Sequence, residues 1–298
     1  MTRRGWLLFT AMCILWGIPY LLIKVAVEDL SPPMVVLART SVGALLLLPI
    51  AAAKGQLAAL RPHWRALLAF TALEIAGPWL LLSDAERFLT SSLTGLLIAA
   101  VPMVAAVASM ALGDEDRLDR NRVVGLVVGM AGVAVLLGFD LGGDFRAAAE
   151  VGLVVLGYGT APLIVSRKLS DVPSLGVIAA SLAIAALLYA PIAAFSWPNR
   201  VPSGRVIWSI VGLALACTVA AFLVFFALIA EAGPNRALVI TFVNPAVALV
   251  LGIVLLGERF TAGSAVGFPL VLLGCVLATR RSKVRKQIPL MIDAEVSR

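Results

Sequence analysis

Gly113-Asp114-Glu115 closes one long apolar stretch of this chain, and Leu256-Gly257-Glu258-Arg259-Phe260-Thr261 closes another. Gly257 follows Gly113 by 144 residues, and Glu258 follows Glu115 by 143. The spacing recurs: Pro49 and Pro191 lie 142 apart, Pro102 and Pro245 143, Gly125 and Gly267 142, and Gly132 and Gly274 142. The chain therefore reads as a duplication whose second copy begins near residue 150. Five apolar spans precede the join and five follow it. An odd number of crossings makes the second copy enter a bilayer upside down. Inverted halves let a central site face either side by rocking one half against the other.

Composition fixes the class. Of 298 residues, 61% are hydrophobic and only 14% charged, with a mean hydropathy of +1.02. A soluble domain carries about 25% charged residues. The expected spans are 6–26, 33–53, 65–83, 88–112, 122–139, 148–166, 173–195, 206–229, 236–257 and 262–280. Each approaches the roughly 20 residues that a hydrocarbon core about 30 Å thick demands. They are too long and too uniformly apolar for barrel strands. The fold class expected is an all-α membrane protein of ten transmembrane helices arranged as two inverted five-helix repeats. The first repeat covers 1–140, the second 147–280, and a basic tail 281–298.

The formal charge of +7 is a topology signal. With the amino terminus inside, 17 of the 24 Lys and Arg fall at cytoplasmic ends and 6 at outer ends, with Arg39 left inside a span. The positive-inside rule then places both termini in the cytoplasm, and the charge gives no nucleic-acid footprint. Arg3 and Arg4 ahead of an apolar run resemble a signal peptide, but the run is expected to stay as the first helix. Cys13, Cys217 and Cys275 lie in apolar stretches without partner spacing and read as buried free thiols.

Small residues and prolines mark packing and bending. Gly125 and Gly129 share a face of the fifth span, and Gly263 and Gly267 do the same early in the tenth. Such spacing lets helix backbones approach closely, within one protomer or across a dimer. Pro78, Pro102 and Pro245 fall inside spans, where each frees a carbonyl and bends the helix. All three suit a cavity wall or a hinge.

Ionisable groups inside spans need a reason, because burying them is expensive. Glu74 lies ten residues into its span, about 15 Å deep at ~1.5 Å per residue. It is a candidate for proton coupling or for binding a substrate amine, or else a structural group bonded to a neighbouring helix. Arg39, six residues inside the second span, could pair with Glu74, bind a substrate carboxylate, donate to carbonyls or snorkel outward. Lys24 is expected to snorkel, and Asp84, Glu86 and Arg87 to form a solvated turn. Trp16 and Tyr20, four apart on one helix face, could line a cavity with Trp79, Tyr158 and Phe222. Thr241 and Asn244 present a hydroxyl and an amide just before Pro245, as a polar wall or as helix–helix hydrogen bonds.

Enzyme chemistry finds no support. The single histidine, His63, sits between Pro62 and Trp64 in a loop, so neither a histidine metal cluster nor a His-based triad arises in the membrane. Gly157-Tyr158-Gly159-Thr160-Ala161-Pro162 starts like a dinucleotide fingerprint but has Pro where the last Gly belongs. No Walker A lysine is present. No cofactor or metal is expected.

Several motifs in order resemble the EamA-type branch of the drug/metabolite transporter superfamily. They are Leu15-Trp16-Gly17, Ile23-Lys24-Val25-Ala26, Ser31-Pro32 and Arg39, then Asn244-Pro245, the 256–261 motif, Gly267 and Gly274. The resemblance covers roughly 6–280. It departs at Gly113-Asp114-Glu115 and in offering Gly157-Tyr158 where a second Trp-Gly would stand. It implies a secondary carrier with a central cavity, commonly an exporter, in the bacterial cytoplasmic membrane. The expected partners are a small polar or amphipathic metabolite, protons and the lipid bilayer, the chain acting as monomer or homodimer. A channel-like facilitator would instead show flux without saturation, and a membrane scaffold or sensor would show none.

Overall fold

The computed structural model describes residues 1–113, 120–140, 144–233, 237 and 239–279. Among these residues, nine helices are long and apolar enough to cross a membrane. They are α1 (Arg3–Ala26), α2 (Pro32–Ala53), α3 (Ala58–Ala85), α4 (Ser91–Ala111), α5 (Arg120–Phe139), α6 (Phe145–Lys168), α7 (Ser174–Ala194), α8 (Gly204–Ala232) and α10 (Ala262–Thr279). A shorter apolar helix, α9 (Ile240–Leu256), completes a set of ten among the described residues. The protein is therefore an all-α, multi-pass membrane protein. The expected tail at 281–298, and most of the join between the repeats, lie outside the described residues.

The motif at each repeat's fourth helix has a backbone reason. Gly113 and Gly257 both carry positive φ, +77° and +68°. Glycine adopts that conformation without a β-carbon clash, so it ends helices. At Gly257 the chain doubles back far enough for Glu258 N–H to donate to the Gly252 carbonyl at 3.1 Å, which satisfies a helix-end acceptor. Helix starts are equally plain. Thr90 and Ser203 accept from Leu93 N and Val206 N as caps, and Pro32 stands in the first turn of α2, where its missing N–H costs nothing.

Helices pack mostly with partners from the other half. α2 lies against α7 and α5 against α10; α6 contacts α3 and α4, while α1 contacts α8 and α9. Exchanging each helix for its mate five places along leaves this pattern unchanged. The closest approach is between α5 and α10. A β-carbon at Gly125 would fall 2.5 Å from Ala278 N, and one at Gly132 2.6 Å from Val271 N. Gly267 faces the Gly132 carbonyl, Gly274 meets the Gly129 backbone, and Gly263 is buried in the first turn of α10. The small-residue faces thus meet within one protomer.

Four helices are interrupted midway. α1 breaks between Leu15 and Pro19, and α4 between Ile98 and Val101, just before Pro102. α3 and α8 each contain a π-helical stretch, Thr71–Ala76 and Gly212–Ala220. Proline alone does not explain the breaks, since Pro162, which lies 143 residues after Pro19, sits inside an unbroken α6. Before Pro19 stands Gly17, a poor helix former, whereas α6 has Thr160 donating back to the Leu156 carbonyl at 2.7 Å. Part of the stretch expected as a loop is also helical: Ala58–His63 forms the 3₁₀ turn that opens α3.

Candidate functional site

Two of the interruptions, the π-helical stretches of α3 and α8, carry or contact the charged side chains. In the π-helical turn of α3, Gly77 N–H bonds the Ala72 carbonyl five residues back. The buried Tyr189 hydroxyl of α7 donates to the Ala76 carbonyl at the end of this turn at 2.9 Å. Glu74 sits on this turn, half-buried. α6 crosses at Gly157, where a β-carbon would fall 2.5 Å from the Leu73 carbonyl. The run that mimics a dinucleotide motif is therefore a helix-crossing point. Its neighbour Tyr158 lies within electrostatic reach of both Glu74 and Arg39.

Arg39 does not take Glu74 as its partner. Its Nε donates to Thr218 Oγ1 at 2.7 Å and its Nη2 to the Cys217 carbonyl at 3.3 Å, both in the π-helical stretch of α8. Its guanidinium lies over the Trp79 ring, 3.6 Å from the centroid. Thr218 in turn donates to the Leu213 carbonyl, five residues back, at 2.8 Å. The distortion of α8 thus supplies both acceptors for a buried cation, and the face of Trp79 adds a favourable quadrupole. Snorkelling is ruled out, because the residue is only 7% exposed.

The expected aromatic face divides into two. Trp16 packs edge-on to Phe222 at 6.0 Å and lies 4.7 Å from Phe225, and Phe226 extends the group. Tyr20 belongs elsewhere, in an apolar cluster with Ala248 and Leu82 against which Tyr158 also packs. The i, i+4 argument holds only for a continuous helix, and α1 breaks between the two residues. Phe225 and Phe226 were legible as aromatics at helical spacing from Phe222, yet nothing in the sequence placed Trp16 opposite them.

Asn244 resolves toward helix–helix bonding. In the amide orientation that satisfies it, the nitrogen donates to the Cys13 carbonyl at 3.2 Å and to Ile240 O at 3.0 Å. Thr241 is half-buried one turn earlier. Pro245 stays inside a continuous α9, while Pro78 and Pro102 occupy the first turns of the segments that follow the π-turn and the α4 break.

A second polar group was misjudged from the sequence. Glu86 is not part of a solvated turn: it is fully buried, and neither carboxyl oxygen has a hydrogen-bond partner. Lys24 does not snorkel. Its Nζ donates to the carbonyls of Glu86 and Leu89, at 2.6 and 2.7 Å. Glu258, from the second repeat, accepts the N–H groups of Ser91 and Ser92 at 2.7 and 2.9 Å and so caps α4. Only Asp84 and Arg87 form the expected surface group, joined by Arg146 at 2.6 Å from Asp84. The three cysteines are buried free thiols. Among the described residues, no three His, Cys, Asp or Glu side chains group as metal ligands.

Comparison with known proteins agrees with this architecture. The model of the EamA-like transporter family matches twice, over residues 3–138 and 151–280. The uncharacterized transporter YvbV of Bacillus subtilis is 24% identical, over 99% of this chain and 97% of that protein. The uncharacterized inner membrane transporter YedA of Escherichia coli K12 is 26% identical, over 90% and 88%. An uncharacterized transporter of Archaeoglobus fulgidus is 23% identical, over 93% and 99%. One crystal structure superposes with a TM-score of 0.66 at 19% identity, covering 94% of this chain and 97% of its own, and speaks for the fold alone. With two matches that together take in both five-helix halves, the chain belongs to the EamA-like transporter family.

Proposed function

We propose that the protein is a secondary carrier that exports a small polar or amphipathic metabolite by alternating access, coupled to protons through Glu74. The observation that carries this reading is that Glu74 and the acceptors of Arg39 stand on two π-helical interruptions, with Trp79 stacked on Arg39 and Tyr158 within reach of both charges. Discontinuous helices line substrate sites in inverted-repeat transporters, and π-helical turns cluster at functional positions. Glu74 has freedom to bind and release, being half-buried and outside the hydrogen-bonded group around Arg39. Arg39 orients the aromatic wall, and Trp16 and Phe222 sheath an apolar part of the ligand.

In this reading the repeats are inverted, both termini are cytoplasmic, and the end carrying Lys24, Glu86 and Glu258 faces outward across a bacterial inner membrane. α5 and α10 act as scaffold, and the rest of each half rocks about the centre. The two halves are the repeats 1–140 and 147–280, of which all but α5 and α10 move. Proteins with names such as inner membrane transporter among the relatives support the location.

The test compares the metabolites in medium from cells overexpressing the protein and from cells overexpressing Glu74→Gln at equal protein level. Enrichment of a metabolite with the wild type alone supports export and the role of Glu74. Enrichment with both retains export and removes Glu74 from coupling. Absence of enrichment with either argues against export.

A further inference from the structure

We propose that the end of the bundle where Lys24, Glu86 and Glu258 meet is a proton-operated latch, in which Glu86 is a second proton-binding site and its protonation keeps that end shut. The proposal rests on the alternating-access reading above but not on Glu74.

Two sets of contacts close this end. Lys24 fastens α1 to the carbonyls that finish α3. Glu258 reaches from the α9–α10 loop to the start of α4, a contact between the two repeats. Carboxylates favour helix N-termini because the first N–H groups there have no partner in the helix. Thr90 caps Leu93 N–H at 3.1 Å, so three of these groups are satisfied, two of them from the other repeat. Gly252 makes room: a β-carbon there would collide with the Glu258 carboxylate and the Ser92 hydroxyl.

Glu86 sits at this end with no hydrogen bond to either carboxyl oxygen. An ionised carboxylate so placed has lost its water without gaining donors, whereas the neutral acid loses far less. The groups facing it come from every side. α1 contributes Lys24 and Tyr20, and the α9–α10 loop Glu258. Asp84 and Arg87 of its own turn are engaged at the surface with Arg146 of α6, which also binds Glu150. Burial pushes the Glu86 carboxyl well above the usual carboxylate range; Lys24 opposes this and Glu258 adds to it.

A raised value in the shut state fixes the sign. The shut arrangement keeps its full strength below the ordinary carboxylate value and loses it as pH rises through the value Glu86 has there. On deprotonation the proton passes to water on that face. The new carboxylate repels Glu258 and draws the Lys24 ammonium off its two carbonyls, releasing α1 from α3. Acid on this face shuts it and alkali opens it, as a carrier taking up protons from that side requires.

The test uses pulsed electron spin resonance on the full chain in lipid nanodiscs, with Cys13, Cys217 and Cys275 replaced by Ser. Spin labels at Phe88→Cys and Arg259→Cys, both exposed positions, read this end. A second pair, Trp6→Cys and Lys168→Cys, reads the opposite end. The expected result is a wild-type distance at the first pair that lengthens as pH rises. Glu86→Gln should abolish the response and hold the short distance at every pH, and Glu86→Asp should restore it. An unchanged pH response in Glu86→Gln overturns the latch. Movement of the second pair alone also overturns the latch and leaves alternating access standing. Immobility of both pairs over the whole range overturns both.

Discussion

The guanidinium of Arg39 stacks on Trp79 at 3.6 Å from the ring centroid, so a cation of one helix and an indole of another form a single unit inside the apolar bundle. The unit is completed by α8, whose Thr218 and Cys217 accept two of its N–H groups. Three helices from both repeats are therefore tied at one charge.

Removing the hydroxyl of that tie should be costly. Thr218→Val conserves shape but leaves Nε of Arg39 buried without an acceptor, a loss of about 1–3 kcal/mol. Thermal unfolding in detergent should show a lowered Tm. Arg39→Lys should lower it too, because an ammonium lacks the planar fork that stacks and donates at once. A Tm equal to that of wild type for Thr218→Val would show that the bond contributes nothing.

Tyr189→Phe tests the π-helical turn. The Ala76 carbonyl loses its donor at a site closed to water, which costs about 1 kcal/mol. Transport should fall with it, because Glu74 rides on the same turn. Unaltered Tm and unaltered transport would together argue that the turn is held by the backbone alone.

The α5–α10 seam should tolerate no added side chain. Gly274→Leu drives a β-carbon into the backbone of Gly129, and overpacking of this kind costs about 1–3 kcal/mol or more. Gly138→Leu is the control, since nothing lies within 4 Å of a β-carbon there. Size-exclusion profiles of the two variants should show aggregation only for the first.

Asp29 gives a local dependence on acid. Its carboxylate accepts Ser203 N–H at 2.8 Å, and that backbone bond, with the Ser203 hydroxyl, holds it below the usual range. A depressed acid stabilises fully above its unfolded value of about 4 and ceases to do so as pH falls through the folded value. Hydrogen exchange of the peptide containing Ser203, compared with that of Asp29→Ala, should show extra protection near neutral pH that vanishes in strong acid. Equal exchange at all pH values would remove the contact from solution.

Hydropathy and the 143-residue echo made the ten helices and their duplication legible, because a bilayer leaves the chain few alternatives. Gly113 and Gly257 were legible for the same reason: a left-handed turn after a helix asks for glycine. The site was harder. Arg39 left pairing with Glu74 and donation to carbonyls both open; it donates to the Cys217 carbonyl and the Thr218 hydroxyl, in a π-helical stretch whose residues, Gly212–Ala220, look like any apolar helix. Trp16 and Tyr20 were joined by a periodicity that the break at Gly17 cancels. Asp84-Ala85-Glu86-Arg87 reads as surface, and only the seating of Lys24 and the α9–α10 loop over it hides Glu86. The partners of Arg39 and the burial of Glu86 involve segments far apart in sequence, which local pattern does not encode.

The glycine seam between α5 and α10 also bears on how the protein is made. α5 leaves the ribosome early, and the partner that covers its bare small-residue stripe is synthesised five helices later. Throughout translation of the second half, that stripe faces lipid or whichever helix happens to be nearby. A nascent chain halted before residue 262 therefore displays an open seam, a mark by which a membrane quality-control protease could tell an unfinished molecule from a complete one.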